Sequence, residues 1–361
     1  MKLICNQENL KTYLNILEKI SSKNINLPII SNILLEVDNN NLNIKATDLE
    51  IALEVNIGCK SFESGKVTIP TNLITGFVNN LPNENIELES FGKNLKITCN
   101  SFSAVINGQD PEDFPIFPKT NKEKSEELYF PDFKNGLLKL INIVPLSNIR
   151  PEILGILIKP NGENFKMAAT DSFRLGEVTI NKKLSFNESF IIPLKTAQEV
   201  IRIFENNQSI NIAFSQNQII FFNEKILFIS KLIDGEYPNY QSIIPKKFET
   251  TFCSNKDELV KLIKVVSPFL SKGNEIFLVI EKKLLKIKST NSEKGESFSN
   301  MNIQLNGEPL EVKLNYRFFL DGLNNINEKE IFLGFGSSIS PAIIKSNNDP
   351  GYIYIIMPIR G

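Results

Sequence analysis

The sequence repeats itself three times at an interval of about 120 residues. Thr47-Asp48 returns 123 residues later as Thr170-Asp171, and Thr290-Asn291 follows after a further 120 residues. Other landmarks keep the 123-residue interval, namely Ile69-Pro70 with Ile192-Pro193 and Asp113-Phe114-Pro115 with Glu236-Tyr237-Pro238. An interval of this length is the size of a whole domain and exceeds the roughly 20–50 residues of a solenoid repeat. The chain is therefore predicted to be three consecutive copies of one globular fold.

Each copy is predicted to run strand, helix, strands, helix, strands. Apolar residues at helical spacing mark first helices over 10–20, after 131–132 and after Asn255, and second helices over 73–81, 194–204 and 315–323. Six helices with many antiparallel strands predict an α+β class in which each helix pair covers a sheet face. Polar, charged stretches at 120–127 and 245–250 indicate linkers, which predicts domains at 1–120, 127–245 and 247–361.

The composition disfavours catalytic and metal chemistry. The chain has no histidine, so the commonest general base and the commonest metal ligand are both missing. Its four cysteines form no C-x-x-C pair and are predicted to be buried free thiols. Phosphate-loop, dinucleotide and hydrolase-elbow motifs are absent. We therefore expect no catalytic residue, no metal and no cofactor.

Two aspartates occupy equivalent positions in successive copies. Asp48 and Asp171 are predicted to accept hydrogen bonds from backbone N–H groups of their own turns. The alternative is an enzyme, for phosphoryl transfer or nucleic-acid cleavage, in which these carboxylates converge in one cleft.

The net charge of −1 gives no overall attraction to nucleic acid, so any DNA contact has to come from a local basic face. Only five of the 40 basic residues are arginines, whose planar fork is specifically suited to anions and carboxylates. No apolar run reaches membrane-spanning length, and the N-terminus lacks signal-peptide character. We expect a soluble, cytoplasmic protein without a membrane partner.

Three motifs carry a family resemblance: Thr-Asp-Ser-Phe-Arg-Leu at 170–175, Asp-Gly-Glu-Tyr-Pro-Asn-Tyr at 234–240 and Ile-Ile-Met-Pro-Ile-Arg at 355–360. With the triplication, they resemble the bacterial β sliding clamp, the processivity subunit of DNA polymerase III, over the whole chain. The resemblance implies three clamp domains and a non-catalytic head-to-tail homodimer. This dimer would be a ring with its helices around a central hole, through which duplex DNA passes and slides.

The resemblance implies that basic side chains line this hole and contact phosphates without reading bases. The candidates are Lys11, Lys19, Lys23, Lys134, Lys139, Arg150, Lys195, Arg202, Lys261, Lys264 and Arg317. The alternative for each is an ordinary solvated helix face. The second helix of the first copy has no basic residue, so a patchy lining is expected. A closed ring is retained by topology, which reconciles DNA binding with a nearly neutral chain.

The resemblance also implies a pocket between the second and third copies for short peptides with apolar anchors. Its partners would be the polymerase III catalytic subunit, the clamp loader, other polymerases and repair proteins. The implied wall is Ile153, Thr170, Ser172, Phe173, Arg174, Leu175, Pro238, Ser242, Ile243, Ile355, Ile356, Met357, Pro358, Ile359 and Arg360. The alternative for Leu175, Ile355 and Ile356 is ordinary core. Phe173 and Ser242 depart from the residues usual in the family, which leaves the peptide preference open.

For the dimer interface, the resemblance points to Phe102 on an edge strand in the first domain of one subunit. It would meet Phe269 and Leu270, beyond the first helix of the third domain of the other subunit. Burial by a partner subunit removes the liability of an apolar edge strand. Packing within a domain is the alternative. A protein-binding scaffold that does not bind DNA remains a third functional interpretation of the chain.

Overall fold

A computed structural model describes residues 1–21, 27–122, 125–215 and 217–360. It contains the six predicted helices, α1 (Gln7–Ile20), α2 (Thr71–Asn79), α3 (Phe130–Leu140), α4 (Leu194–Ile203), α5 (Lys256–Val266) and α6 (Tyr316–Asn324). Helix α3 begins earlier than predicted, because Pro131 is tolerated in the first turn, where its missing N–H has no helical partner. In the described part of the chain, no helix is long and apolar enough to cross a membrane.

Three helices begin at asparagine caps. The side chain of Asn6 accepts hydrogen bonds from the N–H groups of Glu8 and Asn9. Asn255 caps α5 in the same way, as the sequence predicts, and Asn315 caps α6. Such caps satisfy N–H groups that lack a partner in the first helical turn.

The strands are short and follow one another closely. The first copy contains β1 (Lys2–Asn6), β2 (Asn32–Asp38), β3 (Asn41–Thr47), β4 (Ile51–Gly58), β5 (Lys60–Glu63), β6 (Gly65–Pro70), β7 (Asn85–Phe91), β8 (Asn94–Cys99) and β9 (Phe102–Ile106). The second contains β10 (Ser125–Tyr129), β11 (Gly155–Asn161), β12 (Asn164–Thr170), β13 (Arg174–Ile180), β14 (Phe190–Pro193), β15 (Ser209–Ser215), β16 (Gln218–Phe222) and β17 (Ile226–Lys231). The third contains β18 (Thr250–Asn255), β19 (Glu275–Glu281), β20 (Leu284–Asn291), β21 (Gly295–Asn302), β22 (Asn306–Gly307), β23 (Leu310–Asn315), β24 (Glu330–Phe335), β25 (Ala342–Lys345) and β26 (Tyr352–Ile356). The α+β class is confirmed.

The described residues form two compact units. Unit 1 is Met1–Pro131 with Gln198–Leu232, and unit 2 is Asp132–Ala197 with the residues from Ile233 onward. Strands of the second copy occur in both units. They share one sheet with first-copy strands in unit 1 and another sheet with third-copy strands in unit 2.

Unit 1 contains an eight-stranded sheet in the order β10-β15-β16-β17-β4-β3-β2-β6 and a five-stranded sheet in the order β5-β1-β7-β8-β9. Helix α1 packs on β3 and β4 and beside α2. Its apolar face, Leu10, Leu14 and Leu17, is fully buried. Strands β4 and β17 pair antiparallel, with Ile51 opposite Ser230.

Unit 2 contains a nine-stranded sheet in the order β14-β11-β12-β13-β26-β25-β24-β18-β22 and a four-stranded sheet in the order β21-β20-β19-β23. Helix α5 packs on β20 and β21, and α6 packs on β26. Gly322 allows this approach of α6, since a Cβ there would lie 2.5 Å from the Tyr354 ring. Leu175 of β13 pairs with Ile355 of β26, which brings the 170–175 and 355–360 motifs together.

All four cysteines are free thiols, as predicted, but the prediction that they are buried is correct for two and wrong for two. No disulfide links them; Cys5 and Cys99 are buried, Cys59 is half-buried and Cys253 is exposed. Cys253 alternates with the buried Phe252 and Ser254 along β18, so its side chain lies on the outer face of the strand.

Candidate functional site

The turn between β12 and β13 is built from its own side chains. Thr170 Oγ1 donates to the carbonyl of Arg174 at 2.7 Å and accepts from the N–H of Ser172 at 3.1 Å. Asp171 Oδ1 accepts from the N–H groups of Phe173 and Arg174, both at 2.9 Å. Ser172 consequently has a φ of +78°, and Phe173 is 62% exposed.

The same arrangement occurs after β3, where Asp48 Oδ1 accepts from Glu50 N–H at 3.0 Å and from Ile51 N–H at 2.8 Å. The prediction that Asp48 and Asp171 are local turn carboxylates is therefore confirmed. Since each carboxylate already serves its own backbone, neither supports the alternative of a catalytic pair. No cluster of metal-ligating side chains occurs among the described residues.

The C-terminal run is held against this turn in unit 2. Met357 N–H donates to the carbonyl of Phe173 at 2.8 Å, and Ile359 N–H donates to that of Lys313 at 2.8 Å. These two bonds fix the 357–359 segment in place within unit 2. The result is a cleft of about 550 Å³ lined by Ser172, Phe173, Asn315, Phe318, Met357, Pro358, Ile359 and Arg360. Six of these residues are among the predicted pocket residues.

Other predicted wall residues lie beneath the surface. Leu175, Ile355 and Ile356 are at most 1% exposed, so their placement corresponds to the core alternative, and Ile153 is fully buried as well. Leu175 and Ile355 belong to one apolar cluster with the rings of Tyr237 and Tyr240. Thr170 is also buried and serves the turn. These residues support the cleft and do not line it.

The 234–243 segment packs against the core beneath the cleft through Tyr237 and Tyr240, but its other predicted wall residues do not line the cleft. Pro238 lines a separate depression of about 640 Å³, together with Leu157, Lys159 and Tyr237. Ser242 and Ile243 are exposed in a 3-10 turn, Tyr240–Ile243. The Ser242 hydroxyl donates to the carbonyl of Asn239 at 2.8 Å. The structure does not bring these three residues into the 550 Å³ cleft.

Arg174 was expected in the wall of the pocket, but its guanidinium is enclosed. Nε donates to Asp171 at 2.8 Å and Nη2 donates to the carbonyl of Asn142 at 2.6 Å, while Nη1 bonds Asp321. The guanidinium carbon lies 4.3 Å from the centroid of the Phe318 ring. Burial alone lowers the pKa of Arg174, but Tyr354 and Asp171 outweigh it and raise the pKa above its ordinary value. Arg174 therefore packs against the ring of Phe318 and supports it without lining the cleft.

Two cleft residues were missed from the sequence. Asn315 and Phe318 line the cleft from the start of α6. The signal for Asn315 was its position directly before a helical pattern, which indicates a cap. Phe318 gave no local signal, because an aromatic residue in an amphipathic helix is usually core.

The predicted DNA-facing side chains differ in how accessible they are. In unit 1, Lys19 is exposed, Lys11 is half-buried, and Arg202 pairs with Glu199 and donates to the carbonyl of Ile16. In unit 2, Lys134 is half-buried, and the exposed set is Arg150, Lys195, Lys261, Lys264 and Arg317. Arg150 also donates to Ser172 Oγ at 2.6 Å, which places it at the rim of the cleft. Lys23 lies outside the described residues.

Lys139 was predicted to face DNA, and the structure contradicts this prediction. Its side chain is 9% exposed, its ammonium lies 3.1 Å from Asp349 and it sits 4.8 Å from the centroid of the Tyr352 ring. Because this charge is buried and paired, Lys139 offers no exposed cation to a phosphate.

The predicted dimer residues are accessible. Phe102 begins β9, which is an edge strand of its sheet, and its side chain is 49% exposed. Phe269 and Leu270 follow α5 at a 3-10 turn, and both are half-buried.

Comparison with known proteins assigns every third of the chain to one family. Models of the DNA polymerase III beta subunit match as the N-terminal domain at 1–118, the central domain at 134–239 and the C-terminal domain at 241–360. The beta sliding clamp of Chlamydia muridarum is 26% identical over 364 residues, which cover 100% of this chain and 99% of the relative.

Solved structures agree over the full length. The DNA polymerase III beta subunit of Thermotoga maritima superposes with a TM-score of 0.93 at 26% identity, covering 100% of this chain and 99% of that one. That of Pseudomonas aeruginosa has the same fold, with a TM-score of 0.96 at 23% identity and complete coverage of both chains. Together with the triplicated α+β architecture, these matches show that the chain belongs to the family of DNA polymerase III beta subunits, the beta sliding clamps.

Proposed function

We propose that two copies of this chain form a closed head-to-tail ring that encircles duplex DNA and tethers the replicative polymerase to its template. The observation that carries the proposal is the in-register triplication, each third of which matches the corresponding clamp domain. The protein acts as a processivity subunit and is not itself the catalyst. Its function belongs in the cytoplasm, where the bacterial chromosome lies.

The proposed domains are 1–120, 127–245 and 247–361. The order and extent of the three matching family models support these boundaries. Because β17 pairs with β4 in unit 1 and β13 pairs with β26 in unit 2, neighbouring domains share continuous sheets. Such shared sheets explain why compact units in the chain do not coincide with the domains.

DNA contact is proposed to be weak and independent of sequence. Exposed cations on the helices support it, among them Lys19 on α1, Lys195 on α4 and Lys264 on α5. Binding that depends on phosphate neutralisation weakens steeply with salt, whereas a ring is retained by enclosure. A chain with a net charge of −1 is compatible with the second mode.

Open sheet edges support the dimer. Strand β9 is the edge of the five-stranded sheet, with Phe102 49% and Val105 54% exposed. Strand β21 is the edge of the four-stranded sheet, and Phe298 on it is 71% exposed. Pairing of β9 of one copy with β21 of the other would satisfy both edges and bury these side chains. Leu270 lies close to this region, since its carbonyl accepts from Asn291 Nδ2 at 2.9 Å.

The cleft in unit 2 is proposed to bind short apolar peptide segments of the polymerase III catalytic subunit, the clamp loader, other polymerases and repair proteins. Its volume of about 550 Å³ and its lining of Phe173, Phe318, Met357 and Ile359 suit such anchors. The flexible Met357 thioether allows the cleft to adapt to different segments.

The test is topological. The ring is loaded on nicked circular DNA, its subunits are crosslinked closed, and the salt concentration is raised before the DNA is cut. We expect the protein to remain on the circle and to leave after linearisation, while protein offered linear DNA is never retained. Retention that is unchanged by cutting would overturn the enclosure, and no association with the circle at all would favour a scaffold that does not bind DNA.

A further inference from the structure

The turn after β3 in unit 1 has the same internal bonds as the turn that borders the unit 2 cleft. Thr47 Oγ1 donates to the carbonyl of Ile51 at 2.8 Å and accepts from the N–H of Leu49 at 3.0 Å. Leu49 has a φ of +77°, and Ser172 has a φ of +78° at the equivalent position. The two turns are therefore copies of one local structure.

The strand beside each turn is also equivalent. Lys231 N–H donates to the carbonyl of Glu50 at 3.0 Å, as Met357 N–H donates to that of Phe173 at 2.8 Å. Strand β17 accordingly ends against its turn in the way that β26 does. Lys231 in unit 1 thus takes the place that Met357 takes in the unit 2 cleft.

A cleft of about 220 Å³ lies at this place in unit 1, lined by Thr47, Leu49, Glu50, Ile51, Ala52, Pro118, Asn217, Gln218, Ile229 and Lys231. Leu49 is 45% exposed, while Ala52 and Ile229 are 2% exposed and form an apolar floor. Lys231 Nζ lies 3.1 Å from Glu50 Oε1, and both side chains are mostly exposed at the rim. The unit 1 cleft therefore combines a small apolar floor with a charged rim.

We propose that the unit 1 cleft is a second peptide-docking site, which takes a single aliphatic side chain of an extended partner segment whose next residues are polar. Its volume of about 220 Å³, against about 550 Å³ in unit 2, leaves room for one anchor where the larger cleft holds several. Glu50 and Lys231 stand where unit 2 has the apolar Phe173 and Met357, so residues that flank the anchor meet charge here. The inference rests on the proposed function for the chemistry of the ligand.

The experiment titrates the full chain, labelled at isoleucine, leucine and methionine methyl groups, with a short acetylated peptide. The peptide carries a leucine flanked by serine and glutamine and ends in phenylalanine. We expect the Leu49 and Met357 methyl signals to shift and saturate, while Leu73, which is 53% exposed on α2, stays unchanged. In Leu49→Asp, which loses the Leu49 reporter, the Ile229 methyl signal follows the unit 1 cleft. Binding there should weaken by about tenfold or more, and the Met357 response should stay intact. This variant should fold, because aspartate is among the residues that tolerate a positive φ.

The two clefts report separately. A shift of Met357 without Leu49 overturns the second site and leaves the proposed peptide binding of unit 2 in place. A shift of Leu49 without Met357 upholds the second site and removes the proposed one. If neither methyl signal shifts, both peptide sites are overturned. If Leu49→Asp leaves the titration of the unit 1 cleft unaltered, the second site alone is overturned.

Discussion

Arg174 lies over the ring of Phe318, with 4.3 Å between the guanidinium carbon and the ring centroid. The carbonyl of Phe318 in turn accepts from the Tyr354 hydroxyl at 2.8 Å. Two contacts thus hold Phe318 in the cleft wall: Arg174 on its ring and the Tyr354 hydroxyl on its carbonyl. A cleft wall held in this way is preorganised, which reduces the ordering that a bound peptide has to bring about.

Arg174→Lys should damage this support although it keeps the charge. Lysine lacks the planar fork that bonds Asp171, Asp321 and the Asn142 carbonyl together, and it stacks less well on an aromatic ring. We expect a loss of about 1–3 kcal/mol in the free energy of unfolding and a weaker peptide affinity. Urea unfolding and calorimetric titration measure the two effects.

Arg317→Lys is the matched control, because Arg317 is exposed on α6, the helix that carries Phe318. It should leave both quantities unchanged. If Arg174→Lys behaved like this control, the proposed support of Phe318 would be wrong.

Arg360→Ala and truncation after Met357 should weaken partner-peptide binding without dissociating the ring. Arg360 is an exposed cleft residue, and truncation removes Pro358 and Ile359 from the lining as well. Truncation should therefore cost more affinity than the single substitution. Calorimetry with a peptide probe measures this order, and sedimentation tests assembly. Equal affinities for the truncated and full chains would count against the cleft.

The helices and many of the strands could be predicted because their signals are local. The periodicity of Leu10, Leu14 and Leu17 describes α1, and the turn chemistry of Asp48 and Asp171 follows from short-range preferences. The residues that follow Asn255 likewise predict that it caps a helix, as it does in the structure. These features depend on residues within a few positions of one another.

The cleft could be predicted only in part, because its geometry depends on contacts between distant residues. Arg174 meets Asp321, which lies 147 positions away, and Lys139 meets Asp349, which lies 210 positions away. No periodicity in the sequence predicts a pair of residues this far apart. The same limit explains why Ile355 was assigned to the wall, since its burial follows from its pairing with Leu175 across two strands.

Stability should fall at alkaline pH through Cys5. Burial, and secondarily the neighbouring Cys59, raises the pKa of the Cys5 thiol from 9.0 to about 12. The folded state therefore holds this proton more tightly than the unfolded chain. The stabilisation is complete below pH 9.0 and is lost as the pH rises toward 12, at up to about 1.4 kcal/mol per pH unit. Cys5→Ala should flatten this decline in urea unfolding measured between those pH values.

Cys253→Ala controls for the loss of a thiol, because Cys253 is exposed. Its stability should follow the wild-type pH profile. An unaltered slope in Cys5→Ala would show that other buried groups cause the decline.

Lys139 and Lys264 should separate structural from DNA-facing cations. Lys139→Ala removes the cation that pairs with Asp349 and should lower the free energy of unfolding by about 1–3 kcal/mol. It should not change the salt dependence of DNA binding, because its ammonium is not exposed. Lys264→Ala should change stability by no more than about 0.5 kcal/mol and reduce the slope of log affinity against log salt by about 0.9. Binding to linear duplex at several salt concentrations measures the slope, and urea unfolding measures the stability. A reduced slope for Lys139→Ala would contradict the conclusion that Lys139 is a buried structural cation.

Phe298→Asp should dissociate the proposed ring while leaving each chain folded. Phe298 is 71% exposed on the edge strand β21, so the substitution removes little packing within the chain. In the dimer it would place a carboxylate where the edge strand β9 of the second copy brings Phe102 and Val105, and an unpaired charge in an apolar contact is costly. Sedimentation should then show monomers at concentrations where the wild type is dimeric. Ile339→Asp is the control, because Ile339 is 58% exposed outside both edge strands and its replacement should leave the dimer intact. A dimer that survives Phe298→Asp would mean that β21 is not part of the interface.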